Sequence, residues 1–317
     1  MIKKNKTKYM RKLLTLLIIS ISTLNIFAQQ IPLTSQYMFN EYILNPGAIG
    51  NSTKAELRLS SRMQWINIDG APVTNYLSFH KLLNNKNMGL AIALYSDNYG
   101  PESKVGVKLG YSYIVPVSFL KSNLGMGVFF NGFNYSLDYT KLIPIDTQDP
   151  NLQFNKESAF VPDADLGIML YNNRYSFGIS VNQLINSDIK IGDAEFSKNT
   201  TARHYLISAD YVLTLSEKFD FIPAVLVRFT ESSPVQSDIY FRFMYLQKYW
   251  VSAAYRTSNT LSLMIGFEYK DFIFGYSYDY DFNDIQQFSS GSHEIVVGYN
   301  FSRNFYSTSL SKSLRSF

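Results

Sequence analysis

The sequence predicts an all-β fold, a transmembrane antiparallel barrel of about fourteen strands with a short N-terminal periplasmic segment. Three observations carry this expectation. The chain opens on an export signal, period-two alternation runs through nearly everything that follows, and aromatic side chains are abundant in a chain of near-neutral hydropathy.

Lys3, Lys4, Lys6, Lys8, Arg11 and Lys12 make a basic region, followed by the apolar run from Leu13 to Phe27. Together they predict a secretory signal peptide over residues 1–28, cut after Ala28 so that the mature chain starts at Gln29. The apolar run is about fifteen residues, short of the roughly 20 that carry a helix across a bilayer. Setting aside the six basic residues of the signal leaves 23 Lys and Arg against 25 Asp and Glu. The mature part is therefore slightly acidic and has no dense basic cluster, which argues against nucleic acid as a partner. Cysteine is absent, which excludes a disulfide scaffold, a thiol nucleophile and a lipid-modified cysteine.

Alternation is clearest from Lys54 to Asn67. Ala55, Leu57, Leu59, Met63 and Trp65 share one face, and Glu56, Arg58, Ser60, Arg62 and Gln64 share the other. Charges along a whole strand face suit a polar barrel interior, although one strand cannot say which face is outside. Similar segments follow at Val73 to Lys81, Met88 to Ser96, Lys104 to Ile114, Ser122 to Asn134, Asp165 to Tyr171, Tyr175 to Leu184 and Ala202 to Leu213. They continue at Asp220 to Phe229, Ser237 to Leu246, Tyr249 to Arg256, Leu261 to Tyr269, Phe272 to Tyr280 and His293 to Phe301, which makes fourteen. Most have the roughly 9–11 residues a tilted strand needs to cross a bilayer. The 24 Tyr, 24 Phe and 2 Trp suit the aromatic bands at the two lipid headgroup levels.

The connections agree. With both ends in the periplasm, odd-to-even loops lie outside; the longest of all, Tyr135 to Ala164, and the long ones at Asn186 to Thr201 and Asp281 to Ser292 all fall there. Even-to-odd connections such as Asn172 to Arg174, Ser216 to Phe219 and Lys270–Asp271 are short, as periplasmic turns are. The expected organisation is a signal peptide over 1–28, a periplasmic or plug segment over 29–53, a barrel over 54–301 and a polar tail over 302–317.

Two groups are candidate binding residues. Tyr37, Met38, Phe39, Tyr42 and Ile43 would form an exposed apolar cluster if the segment lay free, with Asn45 and Pro46 setting a turn before the first strand. Such a cluster would pack into the barrel mouth or onto a periplasmic partner, with simple packing under the barrel as the plainer alternative. Glu56, Arg58, Arg62 and Gln64 are candidate lumen residues that pair with acids from other strands or meet the N-terminal segment folded back as a plug. Reinforcement of the barrel wall is their plainer role.

Four blocks resemble the PorP/SprF family: SQYMFNEYILNPGAIG over Ser35 to Gly50, RMQWINIDGAPVTNYLSFH over Arg62 to His80, MGLAIALYSDNYGP over Met88 to Pro101 and SHEIVVGYNF over Ser292 to Phe301. Their order and spacing match along essentially the whole mature chain. The chain departs from the pattern in running past Phe301. The resemblance implies an outer-membrane accessory of type IX secretion and gliding that helps secrete, attach or position a large surface adhesin. Its implied partners are that adhesin, outer-membrane lipid and other components of the secretion apparatus.

Catalytic chemistry finds little support. His80, His204 and His293 form no H-x-x-x-H pair, and no G-x-S-x-G elbow exists. Asp146 and Asp149, or Asp279, Asp281 and Asp284, could take calcium, yet the twelve-residue calcium-loop pattern is missing and solvated acidic loops are the simpler reading. The expectation is a non-enzymatic protein with no cofactor, metal or catalytic site. The main alternative is a transporter or diffusion channel for small, including apolar, solutes.

Overall fold

In a computed structural model the chain is described at residues 32, 34–83, 87–142, 156–191, 199–231 and 233–301; the signal peptide and the tail lie outside the described residues. The strands are β1 (Ala55–Met63), β2 (Val73–Leu82), β3 (Met88–Tyr99), β4 (Glu102–Val117), β5 (Ser122–Asp138), β6 (Lys156–Tyr171) and β7 (Tyr175–Asn182). Then come β8 (His204–Tyr211, continued by Leu213–Thr214), β9 (Phe219–Thr230), β10 (Ser233–Tyr245), β11 (Tyr249–Arg256), β12 (Thr260–Tyr269), β13 (Phe272–Asp281) and β14 (Ser292–Phe301). Every strand pairs antiparallel with its sequence neighbours. The sheet closes where β1 meets β14, from Ala55 opposite Phe301 to Met63 opposite His293. Fourteen strands and a closed, meandering barrel are thus what the alternation predicted.

Period two decides which way each side chain points. Along β1, Arg58 and Arg62 are buried while Leu59 is 52% exposed. The same split recurs around the wall: Leu90, Ile92 and Leu94 of β3 point out and Ala91 and Ala93 point in, and on β12 Leu263 and Ile265 point out while Ser262 and Met264 point in. A soluble barrel would reverse this. An apolar exterior around a polar interior is the arrangement that lipid requires, because a closed sheet satisfies its own backbone groups and leaves only side chains to meet hydrocarbon.

One end carries an aromatic band. Phe219 packs on Tyr245, Tyr245 on Tyr249, Phe267 on Phe274, Phe272 on Tyr299, Tyr299 on Phe301 and Phe301 on Phe79. This band lies beside the short turns at 118–121, 172–174, 246–248 and 270–271, which mark the periplasmic side.

Two strands begin four or more residues earlier than the alternation predicts. β6 starts at Lys156 rather than Asp165, and β10 at Ser233 rather than Ser237. Each extension contains a proline, Pro162 or Pro234. Strand β7 pairs with β6 only from Leu166 onward, so Pro162 sits where no partner strand needs its missing N–H. Both stretches lie at the outer ends of their strands, next to the outer loops. Trp65 and Asn67 lie beyond β1 in a turn with positive φ values of 47° and 77°.

Candidate functional site in the lumen

Residues 34–50 lie inside the barrel as a compact layer across its lumen. Two 3-10 turns, Tyr37–Phe39 and Pro46–Ala48, flank a single α-turn at Glu41–Leu44. Asn45 caps the second 3-10 turn, its side chain accepting from Gly47 N at 2.9 Å, and Pro46 begins that turn. This is the turn the Asn-Pro pair predicted, because proline lacks the N–H that such a position leaves unbonded.

The aromatic cluster is buried, not exposed. Tyr37 packs edge-on against Tyr240 of β10, Phe39 against Trp250 of β11, and Tyr42 stacks on His80 of β2 with centroids 4.1 Å apart. Met38 is half-buried against the same clusters. Of the three placements open to the segment, barrel mouth, periplasmic partner or packing under the barrel, the side chains of residues 37–49 take the barrel itself.

Glycines make room for the rest of the layer. A Cβ at Gly127 would lie 2.0 Å from Pro46 O, one at Gly125 2.0 Å from Gly47 O, and one at Gly89 2.6 Å from Ile49 O. Gly167 and Gly178 stand equally close to the Asn45 side chain. Strands β3, β5, β6 and β7 therefore present bare backbone where the segment presses on them. Side chains fasten it: Ser112 Oγ donates to Ile49 O at 2.6 Å, Ser180 Oγ to Leu44 O at 2.8 Å, and Asn45 Nδ2 to Ile168 O at 3.1 Å.

A buried ionic network holds the other end. Arg62 donates to Asp279 at 2.6 Å, to Glu294 at 3.3 Å and to Ser35 Oγ at 3.0 Å. Glu294 accepts in turn from Ser35 N at 2.7 Å, Gln36 N at 3.2 Å and Thr34 Oγ1 at 2.6 Å. Ser35 Oγ donates to Asp279 at 2.7 Å. Arg256 continues the network to Asp238 at 3.1 Å, and Arg228 donates to the same carboxylate. A second group joins Arg58 to Glu56 at 2.6 Å and to Asn300 at 2.7 Å. His80 Nδ1 accepts from Gly50 N at 3.1 Å, which leaves its Nε2–H facing Glu56 at 3.3 Å. Charges this deep survive because each has a partner and further hydrogen bonds.

Of the four candidate lumen residues, Glu56, Arg58 and Arg62 face inward and join these networks. Gln64 lies past the end of β1, half-buried in the outer loop, where its backbone N–H bonds Pro72 O. Asp279, Glu294, Asp238, Arg256, the glycine cradle and the ring partners Tyr240 and Trp250 were not singled out from sequence. Their only signal was a polar or small residue at an inward strand position. Two cavities of about 20 Å³, each roomy enough for a water, lie on either side of Glu41. Among the described residues no three His, Cys, Asp or Glu side chains are grouped to hold a metal. Asp279 and Asp281 are engaged by Arg62 and Thr260, while Asp146 and Asp149 lie outside the described residues.

The sequence that builds this barrel and its amino-terminal layer matches a known family. The family model described as type IX secretion system membrane protein PorP/SprF covers residues 26–299. The chain belongs to the PorP/SprF family. It is accordingly an outer-membrane component of type IX secretion. Among solved structures, this PorP/SprF chain is similar to the CymD monoaromatic hydrocarbon channel, with a TM-score of 0.52, 11% identity and coverage of 87% of this chain and 95% of that one. It also matches the P. putida toluene transporter TodX at TM-score 0.47 and 9% identity, covering 82% and 93% of the two chains. The Acinetobacter baumannii outer membrane protein Omp33 matches at 0.45 and 10%, covering 80% and 100%. At such identities the CymD likeness speaks for the barrel fold alone. No curated protein matches the PorP/SprF chain.

Proposed function

We propose that this protein is a non-enzymatic accessory of type IX secretion that helps secrete, attach or position one specific large adhesin at the cell surface. The observation that carries the reading is the lumen filled by the chain's own residues 34–50. A diffusion pore needs a continuous wet path. Here Gly125 and Gly127 press directly on the segment's backbone, and Arg62, Asp279 and Glu294 are spent on one another and on Ser35. A barrel that contributes surfaces rather than a passage fits an accessory role, with binding assigned to its outer loops.

The test is surface display. In a strain lacking this chain, any very large secreted protein found encoded alongside it is followed by labelling of intact cells and by blotting of the medium. Loss from the surface while the protein is still made or shed supports the role. Unchanged display overturns it and turns attention to the channel reading, for which conductance of the purified barrel in planar bilayers is the measurement.

A further inference from the structure

We propose that the polypeptide enters the lumen from its outer mouth, so that Pro32 is presented on the cell surface although β1 begins at the periplasmic end. The path of residues 34–50 carries this. Ser35 is fastened to Arg62, next to last in β1, to Asp279, third from the end of β13, and to Glu294, third in β14. All three positions are at the outer ends of their strands. Phe39, four residues on, lies against Trp250, the second residue of β11 after a periplasmic turn, and its ring edge reaches Gly275, to which the Gln36 side chain also extends down. Gly275 is four positions below Asp279 on the same strand, which at about 3.4 Å per residue and a tilt near 40° is a descent of about 10 Å.

The segment then stays low. Gly47 meets Gly125, fourth in β5 after the turn at 118–121, and Met169, third from the end of β6. Gly50 reaches His80 near the periplasmic end of β2, and β1 follows from Ala55. Traced backward from Phe39, the chain rises toward the outside, and the layer of residues 37–50 lies between Thr34 and the periplasm. Above Ser35 the outer loops are stitched together, Ile66 N donating to Gly291 O, Ser290 N to Ile66 O and Trp65 N to Ser292 Oγ. By this path Pro32 comes before Ser35 on the side of these two loops, over the β1–β14 seam. A partner that touches Pro32 does so from outside the cell.

The absence of cysteine makes the test direct, because a single introduced thiol is the only one in the protein. Pro32→Cys is compared with Gln287→Cys in the outer β13–β14 loop and Lys248→Cys in the periplasmic β10–β11 turn, both exposed positions. Intact cells are treated with a membrane-impermeant maleimide, then permeabilised, then denatured. The expected result is that Pro32→Cys labels with Gln287→Cys on intact cells, while Lys248→Cys labels only after permeabilisation. Labelling of Pro32→Cys only after permeabilisation, or only after denaturation, overturns the proposal. The readout needs no adhesin, so it stands or fails separately from the accessory role.

Discussion

Arg62 sits with its guanidinium between Asp279 and Glu294, and its removal leaves Glu294 buried without that cation and Asp279 with Arg256 at 4.0 Å. Arg62→Ala is expected to lower stability by about 3–5 kcal/mol, read as the shift of the denaturant midpoint of the folded barrel in detergent. Arg62→Lys keeps a charge but not the fork that reaches both acids, so it loses less. A midpoint unchanged in the alanine variant would show that the network carries no net stability. Crowding gives a second prediction at this scale. Gly127→Ala drives a methyl to 2.0 Å from Pro46 O, a backbone atom pinned by its neighbours, and is expected to cost about 1–3 kcal/mol. At Gly132 the nearest group is the exposed ring of Phe160, free to swing, so Gly132→Ala is expected to move the midpoint far less. The alternation of charge in β1 already made Glu56, Arg58 and Arg62 legible as inward residues. The partners of Arg62 were not legible, because Asp279 and Glu294 lie more than 200 residues away and only strand pairing brings them opposite.

At the scale of elements, the strands were readable wherever an apolar outer row alternates with polar residues, and boundaries failed most at the outer starts of β6 and β10, where a proline interrupts the pattern. The plug was half readable. Tyr37, Phe39 and Tyr42 announce that they need cover, but the covering rings Tyr240, Trp250 and His80 come from three strands with no local sequence link to the segment. Deleting Ser35 to Ile49 tests what the element does. The cradle glycines would then line an emptied lumen, and the deletion barrel is expected to conduct ions in planar bilayers where the intact chain does not. Equal conductance from both would remove occlusion as a support for the accessory role. If the deletion leaves surface display of the adhesin intact, the segment's part is structural.

At the scale of the whole molecule, closure runs from Ala55 opposite Phe301 to Met63 opposite His293, so every bond of the seam is made by residue 301. A chain stopped after Phe301 is therefore expected to keep its barrel, seen as undiminished heat-dependent mobility on gels, whereas Phe301→Ala removes an aromatic contact with Tyr299 and Phe79 and slows insertion. Loss of the barrel on removing 302–317 would assign the tail a part in assembly. The anchoring of Ser35 also sets an order of events. Its residues leave the export channel first, yet Asp279 and Glu294 belong to the last hairpin to arrive. The earliest part of the chain waits for the latest, and sealing the lumen and joining the seam become a single concluding step of biogenesis.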